Sequence, residues 1–229
     1  MRLAFSLGMA IFAAPQAVAE DLSLRPESCA RLATVQYENC SVTNTFRCTD
    51  QSVAFWIETV DADNILTIET RNADHGTQSW NFVGQDVIMR FSQSKAHPRD
   101  TIRNGSAKDT IEGEVDLFGV VGPVTGETSY SHAGETMTLA GESFARIAFQ
   151  GAIVAPWPIS EIVGGGTFLY SDKLDLLIEE EVRVDHPVAE TYRLSHLALA
   201  GQDGFGDETP GYGCGQLSRL TRPIAEAAA

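Results

Sequence analysis

The sequence predicts an all-β protein with minor helix. The expected form is a single antiparallel meander making a strongly curved sheet, half-barrel or barrel, with short terminal helices. Three observations carry this. Apolar residues recur with a period of two along most of the chain, clusters of turn-forming residues separate the runs, and few long connections lie between them. Successive side chains of a strand point to opposite faces, so such alternation marks sheet with one buried face.

Taken in order, "PESCARLA" from Pro26 reads as a short helix. "VAFWIETV" puts Val53, Phe55 and Ile57 on one face. "NILTIETR" sets Leu66 and Ile68 against Thr67, Glu69 and Arg71, and the polar side is expected to face solvent. "DVIMRFSQ" groups Val87, Met89 and Phe91. The polar stretch Ser94 to Asp109 reads as a long loop within one domain. "TIEGEVDLFG" sets Ile111, Val115 and Leu117 opposite Glu112, Glu114 and Asp116. "FARIAFQGAIVA" sets Ile147, Phe149 and Ile153 opposite Arg146 and Gln150. "GGGTFLYS" places Phe168 and Tyr170 together, and "RPIAEAAA" reads as a frayed terminal helix. Turns fall at 61–64, 72–76, 132–134 and 171–173, where Asn, Asp, Ser and Gly bond their own backbone or accept positive φ. Roughly ten to twelve strands result. A long meander must deal with its edges, and closing into a barrel removes them.

The first residues predict export. Arg2 is followed by an uncharged, mostly apolar run from Leu3 to Ala14 and then by Ala17-Val18-Ala19, the pattern of a secretory signal peptide cleaved before Glu20. The expected organisation is residues 1–19 as signal and 20–229 as one β-rich domain. No later segment is apolar for the roughly 20 residues that spanning a bilayer requires, so no stable membrane insertion is expected. The expected location is the periplasm of a bacterium, or otherwise the extracellular space.

Four cysteines follow: Cys29, Cys40, Cys48 and Cys214. An even number in an exported chain predicts two disulfides. The favoured pairs are Cys40–Cys48, bracketing a short hairpin around Asn44, and Cys29–Cys214, tying the start of the mature chain to its end. The spacings contain no CxxC and suit no zinc site.

The chain carries 16 Lys and Arg against 31 Asp and Glu, a net charge of −15 that becomes one more negative once Arg2 leaves. Such an excess repels nucleic acid and anionic surfaces. The five histidines are scattered, no G-x-S-x-G occurs, and the glycines 164–166 lack the Lys-Ser/Thr and the helix of a phosphate loop. No catalytic residue, metal ligand or cofactor is indicated. Asp203, Asp207 and Glu208 lie in a Gly-rich acidic segment that matches no calcium loop and reads as an ordered loop pinned by Cys214.

The run "LIEEEVRV" poses the sharpest question. Strict alternation groups Leu174, Leu176, Ile178, Val182 and Val184, and leaves Glu179 and Glu181 wet beside Arg183. It also places Glu180 among the aliphatics, where an unpaired carboxylate is costly. A β-bulge that turns Glu180 outward, an inward Arg partner, or a ligand cavity with Glu180 as its acid would each resolve this.

Exported antiparallel strands without a catalytic cluster resemble, in general shape, periplasmic carriers of lipids or lipoproteins. The resemblance implies a sheet curled round a lipid or other hydrophobic ligand, with Phe55, Phe91, Phe149, Trp157, Phe168, Tyr170 and Glu180 as candidate ligand-binding residues. Two other classes compete: an envelope-interaction protein with a filled core, and a hydrolase or calcium-dependent enzyme whose residues meet only in space.

Overall fold

The computed structural model describes residues 25–211, except 50–51, 95–96, 157–159 and 187–188. The expected signal segment, Trp157, Cys214 and the C-terminal "RPIAEAAA" therefore lie outside the described residues. Thirteen strands and one helix follow in chain order: β1 (Cys29–Tyr37), β2 (Val42–Cys48), β3 (Phe55–Val60), β4 (Leu66–Arg71), β5 (Thr77–Phe82), β6 (Val87–Gln93), α1 (Pro98–Asn104), β7 (Ser106–Leu117), β8 (Val120–Ser131), β9 (Thr136–Leu139), β10 (Glu142–Val154), β11 (Glu161–Ser171), β12 (Leu176–His186) and β13 (Glu190–Leu199).

Every ladder is antiparallel, and the sheet closes on itself. β1 pairs with β2 on one side and β13 on the other, the meander runs through β8, and β10 takes up β8 along one edge and β11 along the other. Twelve strands form the barrel wall. The short β9 pairs only with the start of β10 and stands outside the ring. Closure satisfies the backbone donors and acceptors that an open meander of this length would leave on two edges.

"PESCARLA" is not a helix. Its cysteine opens β1, because the ladder to β2 claims its backbone from Cys29 onward and the ladder to β13 joins at Ala33. The predicted loop 94–109 contains α1, which begins with Pro98 in its first turn and ends at Gly105 with φ 79°. Proline is pre-set for a first turn, and glycine accepts the left-handed stop.

The disulfide pairing differs from both expected pairs. Cys29 stands opposite Cys48 in the β1–β2 ladder and is bonded to it. The segment between Cys40 and Cys48 is not a hairpin but the extended strand β2. At about 3.3 Å per residue its ends are roughly 25 Å apart, far beyond disulfide reach. Cys40 sits in the β1–β2 turn at φ 65° and is itself disulfide-bonded. A disulfide marks a chain matured in an oxidising compartment, outside the cytoplasm.

An up-and-down wall places alternate connections at alternate ends. One end carries the turns 38–41, 61–65, 83–86 and 118–119, with the facing ends of β10 and β11 and of β12 and β13. The other carries the facing ends of β2 and β3, the turn 72–76, α1 and the β11–β12 turn at 172–175. This second end is closed. Arg47 of β2 donates to the carbonyls of Leu174 and Asp175 at 2.6 and 2.9 Å, and Arg99 of α1 bonds Asp172 and Asp175 at 2.9 and 3.0 Å. β4 is five strands from β12 round the wall, yet the Arg71 side chain reaches the Leu177 carbonyl at 3.3 Å. The β11–β12 tip thus crosses the barrel and plugs it. Below, Phe144, Leu169, Leu176 and Ile178 pack against Ala33, Val35 and Leu197 of β1 and β13.

The acidic segment 201–211 lies on the outer face of β1 and β2. Gly206 N donates to Thr34 Oγ1 at 2.9 Å, Gly211 N to Gln36 Oε1 at 2.7 Å, and Asn44 Nδ2 to the Asp207 carbonyl at 3.0 Å. That cover explains why Thr34, Gln36 and Asn44 are buried although they point away from the barrel axis.

Candidate functional site

Inside the barrel, above the plug, lies a cavity of about 510 Å³. Its two walls differ. Strands β1 to β5 contribute hydroxyls, with Thr43, Thr59, Thr67 and Thr77 in sequence round the wall. Strands β5 to β12 contribute apolar groups: Trp80, Phe91, Phe149, Ile153, Phe168 and Val182. Trp80 meets Phe91 edge-on at 5.4 Å, and Phe149 stacks on Phe168 at 4.3 Å. The volume lies within the ~300–1,000 Å³ usual for small-molecule pockets.

The lower part of the cavity is charged. Arg71 makes a bidentate pair with Glu69, Nε to Oε1 at 2.7 Å and Nη2 to Oε2 at 2.9 Å. Thr77 Oγ1 adds a bond to Glu69 Oε1 at 2.7 Å. Glu179 takes one hydrogen bond, from the Tyr192 hydroxyl at 2.9 Å, and Tyr192 packs edge-on against Tyr37 at 5.3 Å. Burial pushes the Glu179 carboxyl above its ordinary range; Arg71 works against that rise and Glu69 adds to it. Burial also raises the Tyr37 and Tyr192 phenols, and Glu179 raises both further. For Arg71, burial opposes the charge, yet the pair with Glu69 carries its pKa upward.

Glu179 reaches this place through a bulge. Thr167 pairs with Glu181 but Phe168 pairs with Glu179, so Glu180 is the extra residue of β12. The bulge resolves the "LIEEEVRV" conflict by turning Glu180 to the exterior, where it pairs with Arg146 of β10. Glu180 lies in an outer hollow with Glu38, Glu135 and Arg193, not on the cavity wall. Glu181 pairs with Arg193 at 2.7 Å, also outside. Of the three glutamates the inward one is Glu179, which strict alternation had made wet.

Of the other expected residues, Phe91, Phe149 and Phe168 line the cavity. Phe55 and Tyr170 do not; they lie at the closed end, Tyr170 in the plug and Phe55 on the wall facing it. Phe55 stacks on His75 at 4.4 Å, His75 meets Tyr170 edge-on at 5.6 Å, and the Tyr170 hydroxyl bonds Asp175 at 3.0 Å. Trp157 lies outside the described residues.

Sequence reasoning missed Glu69, Arg71 and Glu179, together with Tyr37, Trp80 and Tyr192. A signal existed for the first two. "IETR" sets Glu69 and Arg71 two residues apart on one strand face, the spacing of a same-face ion pair. Its burial is not legible locally.

Among the described residues, no group of three or more His, Cys, Asp or Glu is arranged to hold a metal ion. Asp207, from the acidic segment, accepts from Gln36 Nε2 at 3.3 Å and serves the outer cover of β1.

No protein-family model and no curated protein sequence matches the chain. Among solved structures, the chain is similar to the hypothetical lipoprotein YmcC from Escherichia coli (K12). Identity is 11%, the TM-score is 0.40, and the match covers 72% of this chain and 82% of that one.

Proposed function

We propose that this protein is an exported, disulfide-bonded β-barrel carrier, periplasmic in a bacterial host, that sequesters one small, largely apolar ligand in the barrel cavity. The observation that carries this reading is the cavity itself. It is a space of about 510 Å³ kept open above a bonded plug and walled on one side by Trp80, Phe91, Phe149 and Phe168. A filled-core interaction protein would pack that space, since interiors reach crystal-like density when nothing requires a void. Binding here needs no cofactor: apolar area taken from water contributes ~25 cal/mol per Å².

Native mass spectrometry of protein purified from its own host without detergent tests this directly. One bound small molecule per chain is expected, displaceable by N-phenyl-1-naphthylamine with a change in tryptophan emission from Trp80. An empty protein that also fails to take up the probe overturns the reading.

A further inference from the structure

The bottom of the cavity holds two carboxylates and one guanidinium, and the guanidinium is already engaged. Arg71 gives Nε and Nη2 to Glu69 and Nη1 to the Leu177 carbonyl. An anionic ligand would have to displace Glu69 and then sit beside two buried carboxylates. Glu179 is the unmatched charge. Its one hydrogen bond comes from Tyr192, and its remaining accessible surface opens into the cavity rather than into bulk water. Tyr37 and Tyr192 bring aromatic rings to the same place, the partners a desolvated cation meets. From Glu179 to Val184 near the open end, β12 runs five residues, roughly 16 Å at ~3.3 Å per residue, along a largely apolar wall.

We propose that the ligand is a single-chain amphiphile with a cationic head, the ammonium seated against Glu179 beside the packed rings of Tyr37 and Tyr192 and the chain laid along the apolar wall toward the open end. This rests on the carrier reading and narrows it to a charge class. A cation supplies the counter-charge that Glu179 lacks, and it draws Glu179 into its ionised form. Binding is therefore coupled to proton release, and affinity rises with pH across the titration of Glu179. The groups facing that carboxylate are Arg71 and Glu69 of β4, Tyr37 of β1 and Tyr192 of β13, with Arg183 farther along β12. Of these the phenols stay protonated and Arg71 stays charged through neutral pH.

The experiment compares decyltrimethylammonium, decanol and decanoate below their micelle concentrations, read by tryptophan emission and calorimetry on the mature protein. At pH 7.5 the cation is expected to bind at least about tenfold tighter than decanol, and decanoate weakest, since a tenfold step is about 1.4 kcal/mol. Glu179→Gln keeps the size and the Tyr192 hydrogen bond. It is expected to bring the cation within about threefold of decanol. Decanoate binding as tightly as the cation overturns the proposal. So does a cation preference that survives Glu179→Gln, or cation and decanol binding alike to the parent protein. In each of these cases the carrier reading stands. If none of the three binds, the carrier reading itself falls and takes this inference with it.

Discussion

The imidazole Nε2 of His75 lies 3.0 Å from Asp175 Oδ1, joining the β4–β5 turn to the tip of the β11–β12 hairpin across the closed end of the barrel. Asp175 also accepts from the Tyr170 hydroxyl and from Arg99, so one carboxylate ties the β4–β5 turn and α1 to the plug and braces Tyr170 within it. Its pKa is held at about 2, first by the hydrogen bond from His75, while burial works in the opposite direction. Burial lowers the His75 pKa, with Arg71 and Arg99 adding to the fall and Asp175 opposing it.

Asp175→Asn is therefore expected to destabilise the fold at neutral pH by ~1–3 kcal/mol, the usual range for a broken buried hydrogen-bond network. A carboxylate with a depressed folded pKa contributes stability above its unfolded pKa, near 3.8, and loses it as pH falls toward 2. Urea midpoints should show a wide gap between parent and variant at pH 7 that narrows by pH 3. The lowered His75 pKa acts in the same direction: below about 6.5 protons bind the unfolded chain more readily, so stability declines on acidification even before Asp175 titrates. A gap that stays constant over this range would show that Asp175 is not the tie.

Replacing Cys29 and Cys48 together by serine is expected to cost about 3 kcal/mol, the chain-entropy value for a closed loop of this length; the two residues are 19 apart in sequence. Peptide mapping of the parent protein should recover a Cys29–Cys48 cross-link, and a Cys40–Cys48 peptide would contradict the β1–β2 register.

Alternation along the chain revealed the strands and, in most of them, which residues share a face. It could not say which face looks inward. The usual rule sends polar side chains out, but this barrel keeps a polar, partly open interior and covers part of its outside. On β4, Ile68 is buried although it points outward, while Thr67, Glu69 and Arg71 line the cavity. On β1, the segment 201–211 buries Thr34 and Gln36 from outside. The cover on β1 comes from chain 172 and 175 residues away in sequence, so no local window contains it. The β12 bulge is different: three glutamates in a row made a bulge one of the expected solutions, but which glutamate it would turn inward depends on pairing with β11.

Glu179→Gln should make the ligand-free protein more stable at pH 8 and leave it unchanged near pH 4. A carboxyl with a raised folded pKa penalises the fold once it must ionise, and that penalty grows as pH climbs from the unfolded value toward the folded one. The amide escapes it and still accepts from Tyr192. Melting curves at the two pH values separate this outcome from a loss of packing, which would lower Tm at both.

Val182→Phe is expected to block the cavity without harming the fold. Val182 pairs with Tyr192 and Gly166 and lines the open space, so added ring atoms fill a void instead of displacing neighbours. Uptake of N-phenyl-1-naphthylamine should fall by tenfold or more, with Tm equal to or above that of the parent. Undiminished uptake would place the probe elsewhere on the surface.

The β7–β8 turn carries a cost that the fold does not recover. Leu117 pairs with Val120, leaving Phe118 and Gly119 as a two-residue loop with φ of 54° and 85°. Positive φ at both central positions is the type I′ requirement, for which Asn-Gly is the preferred pair. The β9–β10 turn meets the same demand with Ala140 and Gly141, at 52° and 81°. A phenylalanine in the left-handed region costs ~1–2 kcal/mol, and Phe118 is 72% exposed, so burial returns little of it. Phe118→Asn should therefore stabilise the protein by about 1 kcal/mol, or ~2–4 °C in Tm for a chain of this size. Phe118 lies beyond the cavity lining, so uptake of the naphthylamine probe should be unchanged. Higher stability with weakened uptake would instead assign the strained phenylalanine, with its exposed neighbours Val120 and Val121, a part in ligand entry at the open end of the barrel.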